Sequence, residues 1–392
     1  MEVVVFYLPC NPWDGVKQRE QHLCEKLSAY CRVYYVQLSG ELQWNVGFKE
    51  IVECIRWRQF SVNENLSIVS LPRFVVPHRW GSLRLLHRWG EWYMYFFLSV
   101  LMRRQPEGSD IILGTGFPRF PWAFRKAPAS LRYYDCMDNH PAFDKASAGL
   151  LRSREIQVER AADCIFVSAE KLKQLSPGRR AAILVTNGVD PEEFGDARVS
   201  RPADLPRPRP IIGYCGVVSS WFDFQTVGYA AKQRPEYQFV IVGPVDRQCK
   251  HSLTQLCTLK NVHWLGRKAK SLLKDYLAFF DVATIPFLLN DVTSYVNPTK
   301  MYEYFYMNRH VLASDLPEVS KFRPYVQIYK DANEFVRSLD SLVVKKPNTR
   351  LRAIAAANSW DRKAETIFSS LQEALRRKAN EARPSTRTDG LR

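Results

Sequence analysis

Short apolar runs that end at loop-forming residues recur along this chain. The first run, at 3–8 (VVVFYL), stops at Pro9, and the next, at 32–38, follows a helical pattern at 16–30. Runs of this length are typical of strands buried on both faces of a parallel sheet. Strand, helix and strand at these lengths make a βαβ unit, so the pattern predicts an α/β fold with a doubly wound sheet.

The same alternation continues and then begins again after a proline-rich stretch. Segment 201–210 (RPADLPRPRP) holds four prolines in ten residues, which is typical of a stiff linker. We therefore predict a first domain at 1–200, a linker at 201–210 and a second domain at 211–348. A long helix is predicted at 349–378, and the polar residues 379–392 are predicted to be disordered.

Composition narrows the possible partners. The chain has 392 residues, 46% of them hydrophobic, with a net charge of +16 that favours an anionic partner such as nucleic acid, an acidic membrane surface or a phosphorylated ligand. The nine cysteines include no C-x-x-C pair, so neither a zinc site nor a disulfide framework is indicated, and reduced thiols fit a cytosolic protein. We find no secretory signal and no apolar run long enough to span a bilayer.

Segment 79–104 is both basic and aromatic. A helix of this composition fits the interface of an anionic membrane. A core helix with a solvated basic face is the alternative reading. The residues concerned are Arg79, Arg84, Arg88, Arg103 and Arg104, with Trp80, Trp89, Trp92, Tyr93, Tyr95, Phe96 and Phe97.

The stretch 297–305 (NPTKMYEYF) predicts the start of a helix that could hold an anion. Asn297 is a suitable N-cap, and Pro298 would stand at the first helical position. The free N–H groups and the dipole of such a start attract phosphate, and Lys300 adds a positive charge. Glu303 lies on the same face as Lys300, so an ordinary exposed Lys–Glu pair is the alternative.

The order of signals in the second half resembles the donor domain of GT-B glycosyltransferases. It comprises G-Y-C-G at 213–216, W-F-D at 221–223, F-V-I-V-G at 239–243, N-V-H-W-L-G at 261–266, D-V-A-T-I-P-F at 281–287 and P-T-K-M-Y-E-Y at 298–304. Within that fold the chain is most similar to the teichuronic-acid-type and xanthan-type glucuronosyltransferases of bacterial surface polysaccharide synthesis. The likeness is looser in the first half, at W-D-G (13–15) and Y-D-C-M-D (134–138).

The resemblance implies two Rossmann-like domains facing each other across a cleft, with the C-terminal helix packing back on the first. It implies a nucleotide-sugar donor, with UDP expected, and neither an essential metal nor another cofactor. Lys300 would bind the diphosphate and Glu303 the ribose hydroxyls. The residues assigned to the donor are Gly213, Gly216, Ser219, Gly243, Pro298, Thr299, Lys300 and Glu303.

The first domain would supply the acceptor side and the general base. An inverting transfer needs a base that takes the proton of the attacking hydroxyl. Asp138 is the predicted base, with Asp135 and His140 as the alternatives, and Trp13, Arg19 and His22 are predicted on the acceptor side. The acceptor is expected to be a glycan or a lipid-linked sugar, and the protein cytoplasmic or peripheral on the inner face of the membrane.

Two alternative reactions stay open, and one other class of function is disfavoured. The E-x7-E pattern of retaining relatives is absent, because neither Tyr295, eight residues before Glu303, nor the neighbouring Val296 is a glutamate. A retaining transferase and a nucleotide-sugar epimerase remain alternatives, since fold alone does not fix the reaction. Nucleic-acid binding is disfavoured, because the basic residues are spread widely and no helix-turn-helix, zinc-finger or RNP-type motif appears.

Overall fold

The computed structural model describes residues 2–38, 57–72, 84–195 and 199–381. Two of the expectations above fall partly outside the described residues. These are the basic aromatic segment, at Arg79 and Trp80, and the disordered tail, at residues 382–392. The chain divides into two compact units. Unit 1 comprises Met1–Val167, Leu172–Val185 and Ala364–Arg392, and unit 2 comprises Ser168–Lys171 and Thr186–Lys363.

Unit 1 is built on an eight-stranded sheet of order β3-β4-β2-β1-β5-β6-β7-β8. Every strand pair is parallel except β3 with β4, which is antiparallel at the edge. Strand β1 is an apolar run in which every residue except the half-buried Val3 is buried, as the sequence pattern predicts. The strands are β1 (Val3–Leu8), β2 (Arg32–Leu38), β3 (Arg58–Ser61), β4 (Leu66–Leu71), β5 (Asp110–Thr115), β6 (Leu131–Cys136), β7 (Cys164–Val167) and β8 (Ile183–Leu184).

The helices of unit 1 connect these strands. Their order in the chain is α1 (Arg19–Leu27), α2 (Arg84–Arg103), α3 (Pro121–Lys126), α4 (His140–Phe143) and α5 (Ala148–Ala161). The loops that follow β1, β5 and β6 all leave the same edge of the sheet, because these strands are parallel. Ligands of open α/β sheets bind at that edge, so the residues after these strands are candidates for a site.

Unit 2 has a six-stranded, wholly parallel sheet of order β11-β10-β9-β12-β13-β14. Its strands are β9 (Ile211–Cys215), β10 (Gln238–Val242), β11 (Val262–Trp264), β12 (Val282–Ile285), β13 (His310–Ser314) and β14 (Val326–Tyr329). Its helices are α6 (Phe224–Gln233), α7 (Lys250–Leu256), α8 (Leu273–Leu277), α9 (Thr299–Tyr306), α10 (Pro317–Ser320), α11 (Ala332–Val343) and α12 (Arg350–Ala357). The predicted α/β class with two doubly wound sheets is therefore confirmed.

The unit boundaries fall at positions that differ from the predicted ones. The chain enters unit 2 first at Ser168–Lys171 and again at Thr186, and the proline-rich segment 201–210 lies inside unit 2. The predicted helix at 349–378 is two helices, α12 and α13 (Trp360–Glu381), separated at Asn358 and Ser359. The break lets the Val189 N–H donate to the Asn358 carbonyl (3.1 Å) and the Trp360 N–H donate to the Val189 carbonyl (2.9 Å).

From Ala364 onward α13 belongs to unit 1. Phe368 stacks on Tyr30, with ring centroids 5.2 Å apart. Lys378 pairs with Asp163 at 2.7 Å between Nζ and Oδ1. Among the described helices, none combines the length and apolar character that crossing a bilayer requires.

Candidate functional site

The start of α9 brings Lys300 against two glycine loops of unit 2. Gly216, after β9, and Gly243, after β10, have φ values of 148° and 146°, which favour glycine. A Cβ on Gly243 would lie 2.0 Å from the Gly216 carbonyl oxygen, and one on Gly216 would lie 2.9 Å from Cε of Lys300. Only glycine at both positions lets the two loops and the lysine approach this closely.

Lys300 is half-buried against aromatic rings. Its Nζ lies 4.7 Å from the centroid of the Phe287 ring and 5.5 Å from that of Tyr214. Burial lowers the pKa of Lys300 to about 8, although the nearby charge of Glu303 opposes this shift. An ammonium in this setting gains stabilisation from an added anion, because the anion favours the charged form.

Glu303 is buried one turn further along α9. Its Oε1 accepts a hydrogen bond from Nζ of Lys270 at 2.5 Å, and the same Nζ lies 3.5 Å from Oε2 of Glu193. The two carboxylates raise the pKa of Lys270 against the effect of burial. Sequence reasoning missed Lys270 and Glu193, because neither lies at a sequence spacing that links it to Glu303.

Asn297 does not cap α9 in the structure. The helix begins at Thr299 with Pro298 as its N-cap residue, one position later than predicted. The Asn297 side-chain oxygen instead accepts from the Asn187 N–H at 3.0 Å, and the Asn187 side chain donates to the Asn297 carbonyl at 2.6 Å. Two asparagines 110 residues apart in sequence thus fix the backbone that leads into the helix.

The remaining donor residues take different environments. Gly213 lies within β9, where a Cβ would meet the Phe280 ring at 2.1 Å, so its lack of a side chain serves packing. Ser219 is buried in the loop after β9. Pro298 is buried and Thr299 half-buried at the start of α9, which places them next to Lys300.

Asp138 lies in the loop after β6, at the carboxyl edge of the sheet of unit 1. The carboxyl group is half-buried, and burial raises its pKa to about 7. Glu20 and Asp135 add to the rise, whereas the guanidinium of Arg19 opposes it. A carboxyl group with a pKa near the working pH has the property required of a general base.

The Asp135 carboxylate forms an ion pair with the guanidinium of Arg19. Nε of Arg19 donates to both carboxylate oxygens, at 3.1 and 2.9 Å, and Nη2 donates to Oδ1 at 2.8 Å. Nη1 of Arg19 donates to the Val185 carbonyl at 2.7 Å. Arg19 and Asp135 are 2% and 1% exposed, so the pair holds the sheet edge together. This geometry favours a structural role over the predicted acceptor contact of Arg19 and the alternative base role of Asp135.

The other predicted site residues of unit 1 are buried or half-buried. His140 is buried, burial lowers its pKa, and its Nε2 lies 3.0 Å from the Gly116 carbonyl oxygen. Because a carbonyl only accepts, Nε2 carries the proton in this contact. His22 is 1% exposed. Trp13 is half-buried, and its backbone N–H donates to Oε1 of Gln37 at 2.7 Å.

Glu20 is a further buried carboxyl group at this edge. It accepts from the N–H groups of Cys10 (2.7 Å) and Asn11 (3.0 Å), and burial raises its pKa to about 7. These bonds hold the loop that follows β1. The signal that could have identified Glu20 is its place in the first turn of α1, where a carboxylate can accept from a preceding loop.

Comparison with known sequences shows one clear likeness. The chain is 25% identical over 287 residues, 67% of this chain and 72% of the other, to a Bacillus subtilis (strain 168) protein named "Putative teichuronic acid biosynthesis glycosyltransferase TuaH". No family model matches the sequence.

Solved structures show the same fold at low sequence identity. Anabaena HepE, in complex with UDP and glucose, aligns with a TM-score of 0.67 at 14% identity over 95% of this chain and 100% of that one. Sucrose-phosphate synthase of Thermosynechococcus elongatus aligns at 0.66 and 16% over 95% and 99%. A trehalose-6-phosphate synthase studied for glycosyl transfer with retention aligns at 0.64 and 14% over 94% and 99%. The predicted resemblance to GT-B enzymes is confirmed.

Proposed function

We propose that this chain, which has the GT-B fold, is a glycosyltransferase that moves a sugar from a UDP-sugar to a glycan or lipid-linked acceptor in surface polysaccharide synthesis. The placement of Lys300 carries this proposal. A half-buried ammonium beside two glycine loops at a helix start is a suitable partner for a diphosphate. The solved complex of Anabaena HepE with UDP and glucose supports UDP as the nucleotide.

The donor residues of unit 2 contact different parts of the nucleotide. Lys300 neutralises charge on the leaving diphosphate, with the α9 dipole adding to it, so the transfer proceeds without an essential metal. Glu303 accepts from the ribose hydroxyls. Nζ of Lys270 donates to Oε1 of Glu303 at 2.5 Å and so holds the position of this carboxylate.

Asp138 is the general base of an inverting transfer. As the acceptor oxygen bonds to the anomeric carbon, the bond from that carbon to the diphosphate breaks, and the hydroxyl proton passes to the Asp138 carboxylate. The pKa of about 7 supports this role, since an appreciable carboxylate fraction coexists with useful basicity at neutral pH. Retention is the second candidate mechanism, since a structural relative is described as acting with retention.

A transfer assay separates these reactions. Incubation with a panel of UDP-sugars is expected to yield UDP and a glycoside of inverted anomeric configuration, which NMR of the product reads directly. A product with retained configuration would reject inversion and favour retention, the second candidate mechanism. Interconversion of the UDP-sugar without release of UDP would identify an epimerase and contradict glycosyl transfer.

The outer face of α2 supports a peripheral membrane location. Leu85, Trp89, Trp92 and Phe96 follow helical spacing along one face, with exposures of 80%, 51%, 52% and 47%. Successive rings stack, with centroids 5.8 Å apart in both the Trp89–Trp92 and the Trp92–Phe96 pair. Exposed apolar surface of this kind marks an interaction site.

The positive charge on and next to α2 indicates that the partner of its exposed apolar face is anionic. Arg88, Arg103 and Arg104 are exposed on or next to α2, and the chain carries a net charge of +16. Aromatic side chains insert at the level of the lipid headgroups, and each basic residue near an anionic surface adds about 1 kcal/mol. We infer that α2 rests on an anionic membrane surface.

Co-sedimentation with vesicles tests this surface. The protein is expected to pellet with vesicles rich in phosphatidylglycerol at low salt and to bind phosphatidylcholine vesicles much less. The double variant Trp89→Ser/Phe96→Ser should lose most of the binding. Tyr325→Ser, which removes a 37% exposed aromatic from unit 2, is the matched control and should bind like the unaltered protein. Equal binding of both variants would reject the α2 surface.

A further inference from the structure

Lys270 joins three segments of unit 2 around the carboxylate of Glu303. It opens the short 3₁₀ helix Lys270–Leu272, between β11 and α8. Its Nζ donates to Oε1 of Glu303, on α9, at 2.5 Å and lies 3.5 Å from Oε2 of Glu193. One ammonium thus links a loop after β11, the helix α9 and the stretch that precedes the proline-rich segment.

The ammonium of Lys270 is itself held in place. Its Nζ lies 5.4 Å from the centroid of the Phe194 ring, and this ring packs against Tyr306 of α9, with centroids 6.3 Å apart. A cation over an aromatic face is attracted by the charge distribution of the ring. Burial lowers the pKa of Lys270, but Glu303 and Glu193 raise it by more, so the side chain is charged at neutral pH.

The Glu303 carboxylate keeps one oxygen for a ligand. Its side chain is 10% exposed, and Oε1 is the oxygen that accepts from Lys270. Across the residues that the structure describes, Oε2 of Glu303 has no hydrogen-bond partner. A carboxylate oxygen offers lone pairs for about two hydrogen bonds, so Oε2 can accept from two neighbouring hydroxyls.

The position of Lys300 decides which part of a nucleotide meets this oxygen. Lys300 and Glu303 are three residues apart on α9, so their side chains share one face of the helix. With the diphosphate at Lys300, the ribose follows it directly and lies next to Glu303. The 2′- and 3′-hydroxyls of the ribose are then the donors to Oε2, and a 2′-deoxyribose offers one donor fewer.

A carboxylate that is held still distinguishes these two sugars. A site built to bond a hydroxyl rejects the analogue that lacks it, because a buried acceptor is then left unpaired. A carboxylate that is free to turn can accept from water instead, which removes this penalty. The contact from Lys270 restrains Glu303 from turning, so the penalty against the deoxy sugar is retained.

We propose that Lys270 is a positioning residue that gives the donor site its preference for ribonucleotides over 2′-deoxyribonucleotides. It acts through Glu303, whose carboxylate it holds beside the ribose. The preference directs the protein to sugars carried on UDP and away from those carried on dTDP. This inference deepens the proposed donor binding and rests on it for the place of the ribose.

Calorimetry with UDP and 2′-deoxy-UDP on the full chain tests this role, because the two ligands differ only in the 2′-hydroxyl. We expect the unaltered protein to bind 2′-deoxy-UDP about tenfold or more weakly than UDP. Lys270→Met should bring the two Kd values to within about threefold of each other. Lys270→Arg keeps the charge and should keep the preference. Equal binding of both ligands by the unaltered protein, or an unchanged ratio in Lys270→Met, would overturn the proposal.

A second lysine of the same segment provides the matched control. Lys268 pairs with Asp204 rather than with Glu303, at 2.6 Å between Nζ and Oδ2. Lys268→Met should therefore bind UDP and 2′-deoxy-UDP in the same ratio as the unaltered protein, and loss of the preference in this variant would reject a specific role of Lys270. If the Tm shows that Lys270→Met does not fold, Lys270→Gln replaces it with the same expected result.

The same measurements separate this inference from the proposed transfer reaction. Failure of the unaltered protein to bind either ligand would reject both. A preference for UDP that does not depend on Lys270 would reject the positioning role alone and leave the UDP-sugar as donor. A preference that does depend on Lys270, in a protein that transfers no sugar from any UDP-sugar of the panel, would keep the positioning role and reject the glycosyltransferase assignment.

Discussion

Asp138→Asn is expected to lower kcat by about 10²–10⁴-fold, the usual contribution of general base catalysis, while leaving the affinity for UDP unchanged. Asparagine keeps the size and polarity of the side chain but accepts no proton at neutral pH. Because the donor residues lie in unit 2, the change should not affect nucleotide binding. Single-turnover rates and UDP calorimetry on the same preparation measure the two effects.

The pH dependence of the unaltered enzyme provides a second test of this role. Since the Asp138 carboxyl has a pKa of about 7, kcat/KM should fall as the pH drops through 7 and the base becomes protonated. Asp135→Asn is the control for structural damage at this edge of the sheet. It breaks the pair with Arg19 and is therefore expected to reduce the Tm. Wild-type turnover in Asp138→Asn would eliminate this residue as the base.

Lys300→Ala is expected to weaken UDP binding by roughly 1.5–3 kcal/mol, the range for a hydrogen bond to a charged group, which is about 10- to 150-fold in Kd. Uridine, which lacks the diphosphate, should bind the variant and the unaltered protein equally. The difference between the two ligands isolates the contact with phosphate from any damage to the fold.

The lowered pKa of Lys300 adds a signature that a merely structural lysine would not show. The ammonium is lost as the pH rises through about 8, so UDP affinity should fall above that pH in the unaltered protein. Lys300→Arg keeps its charge and should remove this alkaline fall. Lys274→Ala, at another lysine of unit 2, serves as the control. UDP affinity that is unchanged in Lys300→Ala would exclude a role in diphosphate binding.

Local signals predicted the sheets well, because buried parallel strands leave a continuous apolar pattern. The predicted strands at 3–8 and 32–38 have the same bounds in the structure. The resemblance assigned Gly216 and Gly243 to the donor site, and the structure gives the physical reason for glycine at both positions, a close approach of two loops.

Long-range contacts account for what the sequence did not predict. Asn297 has the chemistry of an N-cap, but Asn187 engages it from 110 residues away. The contact of Lys270 with Glu303 joins residues 33 apart in the sequence. Amphipathic spacing predicted one helix at 349–378, yet backbone bonds to Val189 divide it at Asn358. Such partners become visible only when the chain is folded.

The return of the chain to unit 1 affects how the protein is made. Residues from Ala364 onward complete a unit whose sheet is otherwise finished by Val185, through contacts such as Lys378 with Asp163. Because synthesis proceeds from the N-terminus, unit 2 is fully translated and can fold while unit 1 still lacks its last helix. A fragment ending near residue 200 would therefore leave Tyr30 without its stacking partner Phe368, so we expect it to be less stable than a unit 1 to which the C-terminal helix is supplied.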